Sequence, residues 1–334
     1  MVILRHMAEL ISFEHYLAML AQPALLEEYS AVSDRPCLCV SLTGHETEML
    51  PVKLRGRLPA CPVIGVSAYA DRLPQRSPVD LCVTELEAEQ VIGVIDAQPL
   101  ACAALVQLLR HNEAADLSDG LLAESMCYSM LQQSTGFQHW LRERGQSTSR
   151  SDPEPPLLTT QQGAVLQLTF NRPHVHNAYS MTLKDELCAV LATVYANPDI
   201  ECVRLSGNGP SFCAGGDLSE FGQVTDAASA HHSRVTRSAG ALLARLPCRS
   251  EAQLHGACIG AGIEVPAFAD HVSARDDSYF QLPEIAMGLV PGAGGTVSIS
   301  ARIGRQRTAW LAISNQRLDA PTALAWELID AIDG

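Results

Sequence analysis

Two turns in the second half of the sequence carry residues suited to chemistry at a carbonyl. The first is Gly207-Asn-Gly-Pro-Ser-Phe-Cys-Ala-Gly-Gly-Asp217, and the second is His255-Gly-Ala-Cys-Ile-Gly-Ala-Gly-Ile-Glu264. Each follows a strand-like run and precedes a helix-like one. Such turns leave backbone N–H groups without partners, and a helix start adds partial positive charge. Free amides converging on one point stabilise an oxyanion, as an enolate requires. Two acids stand beside these turns. Glu264 falls in the first turn of the second helix, and Glu284 lies in Phe280-Gln-Leu-Pro-Glu-Ile-Ala-Met-Gly288. Taken singly, each has a plain structural reading: Glu264 offsets a helix dipole, and Glu284 is an exposed loop acid. It is their combination with the turns that points to proton transfer.

Other motifs point elsewhere and are weaker. Gly256-x-x-x-Gly260-x-Gly262 fits a dinucleotide fingerprint only loosely, and no Tyr-x-x-x-Lys occurs in the chain. Gly292-Ala-Gly-Gly-Thr296 lacks the Gly-Lys-Ser/Thr ending of a phosphate loop. His231 and His232 are adjacent, so they point to different helix faces and read as surface residues. Cys213 with His255 could form a nucleophile pair, but Cys213 sits in an apolar run and reads as packing. Asp217 reads as an anchor for the first turn.

The elements that must position these residues alternate between strand and helix. In the first half, residues 37–42, 62–67, 80–85 and 90–95 are short apolar runs suited to strands. Residues 99–110 open with Pro99 at a first helical position, and 117–144 show helical spacing interrupted by Gly120 and Gly136. Residues 145–156, GQSTSRSDPEPP, have no apolar residue and read as a domain boundary. This divides the chain into an α/β domain over 1–148, a linker at 149–156 and a second domain over 157–334. Beyond the linker, 164–170 and 201–207 read as strands. Residues 180–195 read as a helix capped by Ser180, with a stripe of Leu183, Leu187, Val190, Leu191 and Val194. Residues 228–246 read as a further helix and 251–256 as a strand. The alternation predicts an α/β layer architecture.

Bulk properties narrow the partners. The chain has 334 residues, 47% of them hydrophobic, with a net charge of −14. That charge repels phosphate backbones, so nucleic-acid binding is not expected. No run reaches the roughly 18 apolar residues of a membrane helix, and the first 17 residues read as an amphipathic helix rather than a signal peptide. The 11 cysteines form no CxxC pair and read as buried free thiols in a reducing cytoplasm, with Cys37 and Cys39 on one strand face. No metal site is expected.

Residues 164–330 resemble the enoyl-CoA hydratase/isomerase (crotonase) superfamily. The resemblance is carried by Asn171-Arg-Pro-His-Val-His-Asn-Ala178, Ser211-Phe-Cys-Ala-Gly-Gly-Asp-Leu218, Gly256 to Glu264, and Leu282-Pro-Glu to Pro291-Gly-Ala-Gly-Gly295. It implies a crotonase-like fold, repeated ββα units forming a spiral, with a smaller N-terminal α/β domain. It implies that Ala214 and Ala261 supply the oxyanion amides. It implies that Glu264 activates water towards Cβ, that Glu284 holds the same water and protonates Cα, and that Gly292 offers an amide to the water. The activity implied is hydration of a 2-enoyl-CoA thioester, with coenzyme A as part of the substrate and no other cofactor, in a cytoplasmic homo-oligomer. Isomerisation, thioester hydrolysis, cofactor-free oxidation and a non-catalytic acyl-CoA-binding subunit are the alternatives. Ala261 stands where hydratases usually have Gly, and Pro266 interrupts the helix that carries Glu264. The sequence ends before the family's C-terminal helices, yet residues 97–144 are similar to that region. The first 150 residues therefore read as a shortened crotonase-like unit whose helices complete the fold, in cis or across a subunit interface. An unrelated α/β accessory domain is the other reading.

Overall fold

Side-chain alternation builds the first sheet. In the computed structural model, which describes residues 9–42, 57–68, 78–145, 152–223 and 226–333, this sheet contains β1 (Leu10–Ser12), β2 (Leu38–Ser41), β3 (Val63–Val66) and β4 (Leu81–Val83). All four run parallel in the order β1-β2-β3-β4. Leu38, Val40, Val63 and Cys82 face one side, where they bury Tyr16, Met19 and Leu20 of α1 (Phe13–Ala21). Cys37, Cys39, Ile64, Leu81 and Val83 face the other side. Period-two alternation thus gives this sheet two apolar faces, as parallel sheets require.

Two expectations in this region need correction. Leu10–Ser12 is a strand, so the first helix begins only at Phe13; residues 1–8 of the expected amphipathic helix lie outside the described residues. Residues 90–95 are not a strand but part of α2 (Glu85–Ala97). A capping box starts that helix: Thr84 accepts from Glu87 N–H, and the Glu87 carboxylate accepts from Thr84 N–H. Ala88, Val91, Ile92 and Ile95 then fall on one buried face at helical spacing. The short apolar run suited either element, and the cap decided between them.

Three more helices follow. They are α3 (Pro99–Asn112), α4 (Leu117–Gln132) and α5 (Thr135–Arg144), with Asp116 and Ser134 as N-caps of the last two. Gly120 lies inside α4 rather than interrupting it, because α10 (Gly295–Ser314) crosses there: a Cβ on Gly120 would lie 2.9 Å from Val297. Of the expected linker, residues 146–151 lie outside the described residues.

The second half winds as a spiral. Its main sheet has the order β13-β10-β8-β7-β6-β5, from β5 (Leu157–Gln162), β6 (Val165–Phe170), β7 (Cys202–Gly207), β8 (Arg249–Leu254), β10 (His271–Arg275) and β13 (Ala331–Asp333). Only β5 pairs antiparallel. A small sheet takes β9 (Ala257–Ile259), β11 (Tyr279–Gln281) and β12 (Leu318–Asp319). Each turn of the chain adds a strand to the large sheet and then one to the small sheet, as β8 to β9 and β10 to β11. Helices α6 (Met181–Val194), α7 (Ala227–Thr236), α8 (Ala239–Leu243), α9 (Ala261–Glu264) and α11 (Ala320–Ala325) complete the layer with α10. Ser180 caps α6 by accepting from Leu183 N–H, and Leu183, Leu187, Leu191 and Val194 are buried. The helix expected over 228–246 is two helices, because Ser238 caps a new start by accepting from Ala241 N–H. Helix α9 has only four residues, and a 3₁₀ turn over Pro266–Phe268 follows, consistent with the missing N–H of Pro266. Helix α10 breaks at Gly304, where φ is 79°.

One continuous apolar core joins the two halves. Ile64, Leu81, Ile95, Leu105 and Leu109 pack in the same cluster as Ile263, Leu282, Ile299 and Ile303. A buried ionic knot crosses the same boundary. Asp80 accepts from Arg110 Nε at 2.8 Å, from Val63 N–H at 2.8 Å and from Arg305 Nη1 of α10 at 2.9 Å. No single helix among the described residues is long and apolar enough to cross a bilayer.

Candidate active site

The two turns lie side by side because they pair as miniature strands. Cys213 N–H donates to Ala257 O at 3.1 Å, and Ile259 N–H donates to Cys213 O at 3.0 Å. The approach is close: a Cβ on Gly262 would lie 2.2 Å from Cys213 O. Cys213 is fully buried, so it packs between the turns and cannot serve as a surface nucleophile. Asp217 anchors the first turn, accepting from Arg172 Nη2 at 2.9 Å and from Ser219 Oγ at 2.7 Å.

Both turns open onto a cavity of about 690 Å³. Ala261 lines it, and as the first residue of α9 its N–H has no acceptor among the described residues. Ala214 does not line it. Its N–H donates to His176 O at 2.9 Å, so the expected assignment of Ala214 as an oxyanion donor is corrected. Two residues on, Gly216 lines the cavity. Around it, Tyr179 N–H donates to Gly215 O at 2.8 Å and Asp217 N–H donates to Tyr179 O at 3.1 Å. In a parallel bridge the residue between those two bonds turns its own N–H to the opposite edge. The Gly216 amide accordingly has no acceptor among the described residues. Gly216 and Ala261 thus each bring to the cavity an amide without an acceptor among the described residues.

Glu264, Glu284 and Gly292 also line the cavity. Glu264 Oε2 accepts from Ala293 N–H at 2.7 Å and from Gly295 N–H at 2.9 Å. Its other oxygen faces Gly260, where a Cβ would lie 3.8 Å from Glu264 Oε1 and 2.4 Å from Glu284 Oε1. The two carboxyls thus border one small space. Gly260 keeps that space open and holds a φ of 49° that favours glycine. Glu284 Oε2 is buried with no hydrogen-bond partner among the described residues. The 3₁₀ turn Glu284–Met287 that carries it ends at Gly288. There the start of α5 presses in, such that a Cβ on Gly288 would lie 2.6 Å from Phe137 N.

A third acid comes from the first half of the chain and was missed by sequence reasoning. Glu124 of α4 is buried, and its Oε1 accepts from Gly294 N–H at 2.7 Å. Its Oε2 accepts from Thr296 N–H at 3.0 Å and from Thr296 Oγ1 at 2.6 Å. The amides of residues 293–296 therefore alternate between Glu264 and Glu124 at the start of α10, where the helix dipole favours both anions. A signal was present. Leu117, Gly120, Leu121, Glu124, Tyr128 and Leu131 follow one helical stripe, and an acid on such a stripe needs a partner. Tyr128, from the same stripe, packs its ring on Gly292, where a Cβ would lie 2.3 Å from its Cδ2. Across α4 runs α7. His231, expected at the surface, is half-buried there with its Nδ1 2.9 Å from Ser125 Oγ, while His232 is exposed.

Burial pushes all three acids up. Glu264 rises to about 7, with the amides of Ala293 and Gly295 pulling against desolvation. Glu124 rises to about 8, through desolvation and then the nearby Glu264. Glu284 rises well above the usual carboxylate range for the same two reasons, with little hydrogen bonding to offset them. Glu284 thus has fewer hydrogen bonds than Glu264 to set against burial. Among the described residues no group of three His, Cys, Asp or Glu side chains could hold a metal ion.

The family model described as enoyl-CoA hydratase/isomerase matches residues 160–334. A mevalonyl-coenzyme A hydratase of Beauveria bassiana is 34% identical over 176 residues, covering 50% of this chain and 63% of the relative. A 2,3-dehydroadipyl-CoA hydratase of Escherichia coli is 32% identical over 170 residues, covering 50% and 65%. The chain thus spans just under two thirds of the length of either relative. A Thermobifida fusca structure in complex with acetoacetyl-CoA superposes with a TM-score of 0.50 at 26% identity, over 53% of this chain and 73% of that one. The fold is of the crotonase type.

Proposed function

We propose, for a chain that belongs to the enoyl-CoA hydratase/isomerase family, the hydration of a 2-enoyl-CoA thioester to a 3-hydroxyacyl-CoA. The observation that carries this reading is the pair of carboxyls around Gly260 in different surroundings, Glu264 held by two amides and Glu284 with a buried oxygen that has no partner among the described residues. Hydration needs both a base and an acid on one water, and environments that separate two similar groups assign those roles.

In this reading the thioester oxygen accepts from the N–H groups of Gly216 and Ala261. A water sits between Glu264 Oε1, Glu284 and the Gly292 amide. Glu264 takes a proton from it as the oxygen bonds to Cβ, and the electrons of the double bond move onto the thioester oxygen as an enolate. Glu284 then gives its proton to Cα. Transfer of the proton from Glu264 to Glu284 restores the site, so the net addition is one water. Each amide donor at an oxyanion is worth about 3–4 kcal/mol, and each proton-transfer group roughly 100- to 10,000-fold. Coenzyme A enters as part of the substrate, and no further cofactor is required.

Incubation with enoyl-CoA esters in heavy-oxygen water tests the reading. Labelled 3-hydroxyacyl-CoA is expected from the wild type and not from Glu264→Gln or Glu284→Gln. Unlabelled product with a shifted double bond would replace hydration by isomerisation, which needs only one proton shuttle. Equal labelling in all three proteins would refute the roles of both acids.

A further inference from the structure

The α7 side of the cavity holds an arginine that the hydration reading does not use. Arg234 of α7 lines the cavity and is half-buried. Its contacts are weakly polar. Nε donates to Ser125 Oγ at 3.3 Å, and Nη2 donates to Ser125 O at 3.5 Å and to Ser129 Oγ. The guanidinium carbon lies 4.7 Å from the centroid of the Tyr128 ring. Nη1 has no acceptor, and no carboxylate pairs with Arg234, among the described residues.

The other cations of the cavity differ. Lys184 and Arg237 both pair with Asp185, and Arg245 is exposed. Glu124 is the nearest acid of the site, but both its oxygens are engaged by Gly294 and Thr296. Burial pulls the Arg234 pKa down, against the charge of Glu124. The Tyr128 hydroxyl also has no partner among the described residues, and burial pushes its pKa up, so it remains a donor.

The position of Arg234 matters as much as its charge. The Tyr128 ring that it covers packs on Gly292, which borders the reacting end. The guanidinium therefore stands on the far side of the Tyr128 ring from Gly292. An alkyl chain there would strip water from the cation and give nothing back. A carboxylate would pair with the guanidinium fork and accept from Tyr128.

We infer that Arg234 docks a carboxylate at the far end of the acyl chain, so that the substrate is the mono-thioester of a short unsaturated dicarboxylic acid. This rests on the acyl-CoA reading above, but its test needs no turnover. Binding of saturated succinyl-, glutaryl- and adipyl-CoA is measured by calorimetry against butyryl-, pentanoyl- and hexanoyl-CoA. Both sets carry the same coenzyme A, so contacts to its phosphates cancel. At one chain length the carboxylated ester is expected to bind the wild type on the order of 30-fold tighter or more. Arg234→Gln should erase that preference and change the alkyl esters by less than about 3-fold, and Arg234→Lys should keep part of it. The absence of any preference in the wild type overturns the inference, whatever the variants do. So does an equal loss for both sets in Arg234→Gln, which would assign the arginine to a coenzyme A phosphate or to packing. Selective binding without hydration would leave this inference standing and sink the proposed reaction.

Discussion

Glu264 and Glu284 share a residue type and one small space, yet differ in what their oxygens touch. Two amides hold Glu264 Oε2, whereas Glu284 Oε2 is buried with no partner among the described residues. That difference sets the expected pH dependence. Glu264 must be ionised to accept a proton, so kcat/KM should fall as pH drops through about 7, where burial has raised this group. Glu284 must be protonated to serve Cα, so an alkaline limb should appear higher up, with apparent values that belong to the pair. A pH–rate profile that stays flat between pH 5 and 8 would contradict the role of Glu264. Residue identities were legible in the sequence here, since both acids stood in recognisable turns. The oxyanion donor of the first turn was not, because which amide stays free depends on partners outside the turn. His176 O takes the Ala214 N–H, whereas the bridge to Tyr179 leaves that of Gly216 without an acceptor among the described residues.

At the scale of elements, the active site is where α4 and α10 meet. Glu124 caps α10 from α4, and the Tyr128 ring presses on the loop that precedes it. Replacing Gly292 with Ala should force that ring aside and destabilise the protein by about 1–3 kcal/mol. Shortening the ring by Tyr128→Ser should make the same Gly292→Ala change nearly harmless, a coupling that urea melts of the four proteins would read out. Additive losses would show that the two residues do not touch. The elements themselves were largely readable. Caps and stripes located α3, α4 and α6, whereas residues 90–95 were misread as a strand. A short run of Val, Ile and Gly is compatible with either state, and the capping box formed by Thr84 and Glu87 resolves it.

At the scale of the whole molecule, the two halves share one core and one ionic knot. Asp80 faces both Arg110 and Arg305, so Asp80→Ala leaves two cations in a poorly hydrated place. The expected cost is about 3–5 kcal/mol in chemical denaturation, with a milder effect for Asp80→Asn. The shared core also predicts the behaviour of a nicked chain. With a protease site placed between Gly145 and Asp152 and then cut, the two pieces should co-elute as one particle and retain Glu124 at the cavity. Separation into two species on gel filtration would show that the linker, not the core, holds the halves together.

Sequence motifs alone pointed to the family, whose resemblance implied the spiral of the second half, and to the two acids, because motifs are strings of local residues. Tertiary structure decided which amides are free, that Glu124 and Tyr128 line the cavity, and that Arg234 stands there without a carboxylate partner among the described residues. Each of these is a statement about partners far apart in the chain. The 170 residues between Glu124 and Gly294 leave no local trace of the bond that joins them. Burial, which raises the acids and strips water from the arginine, arises only when the two halves close on one core.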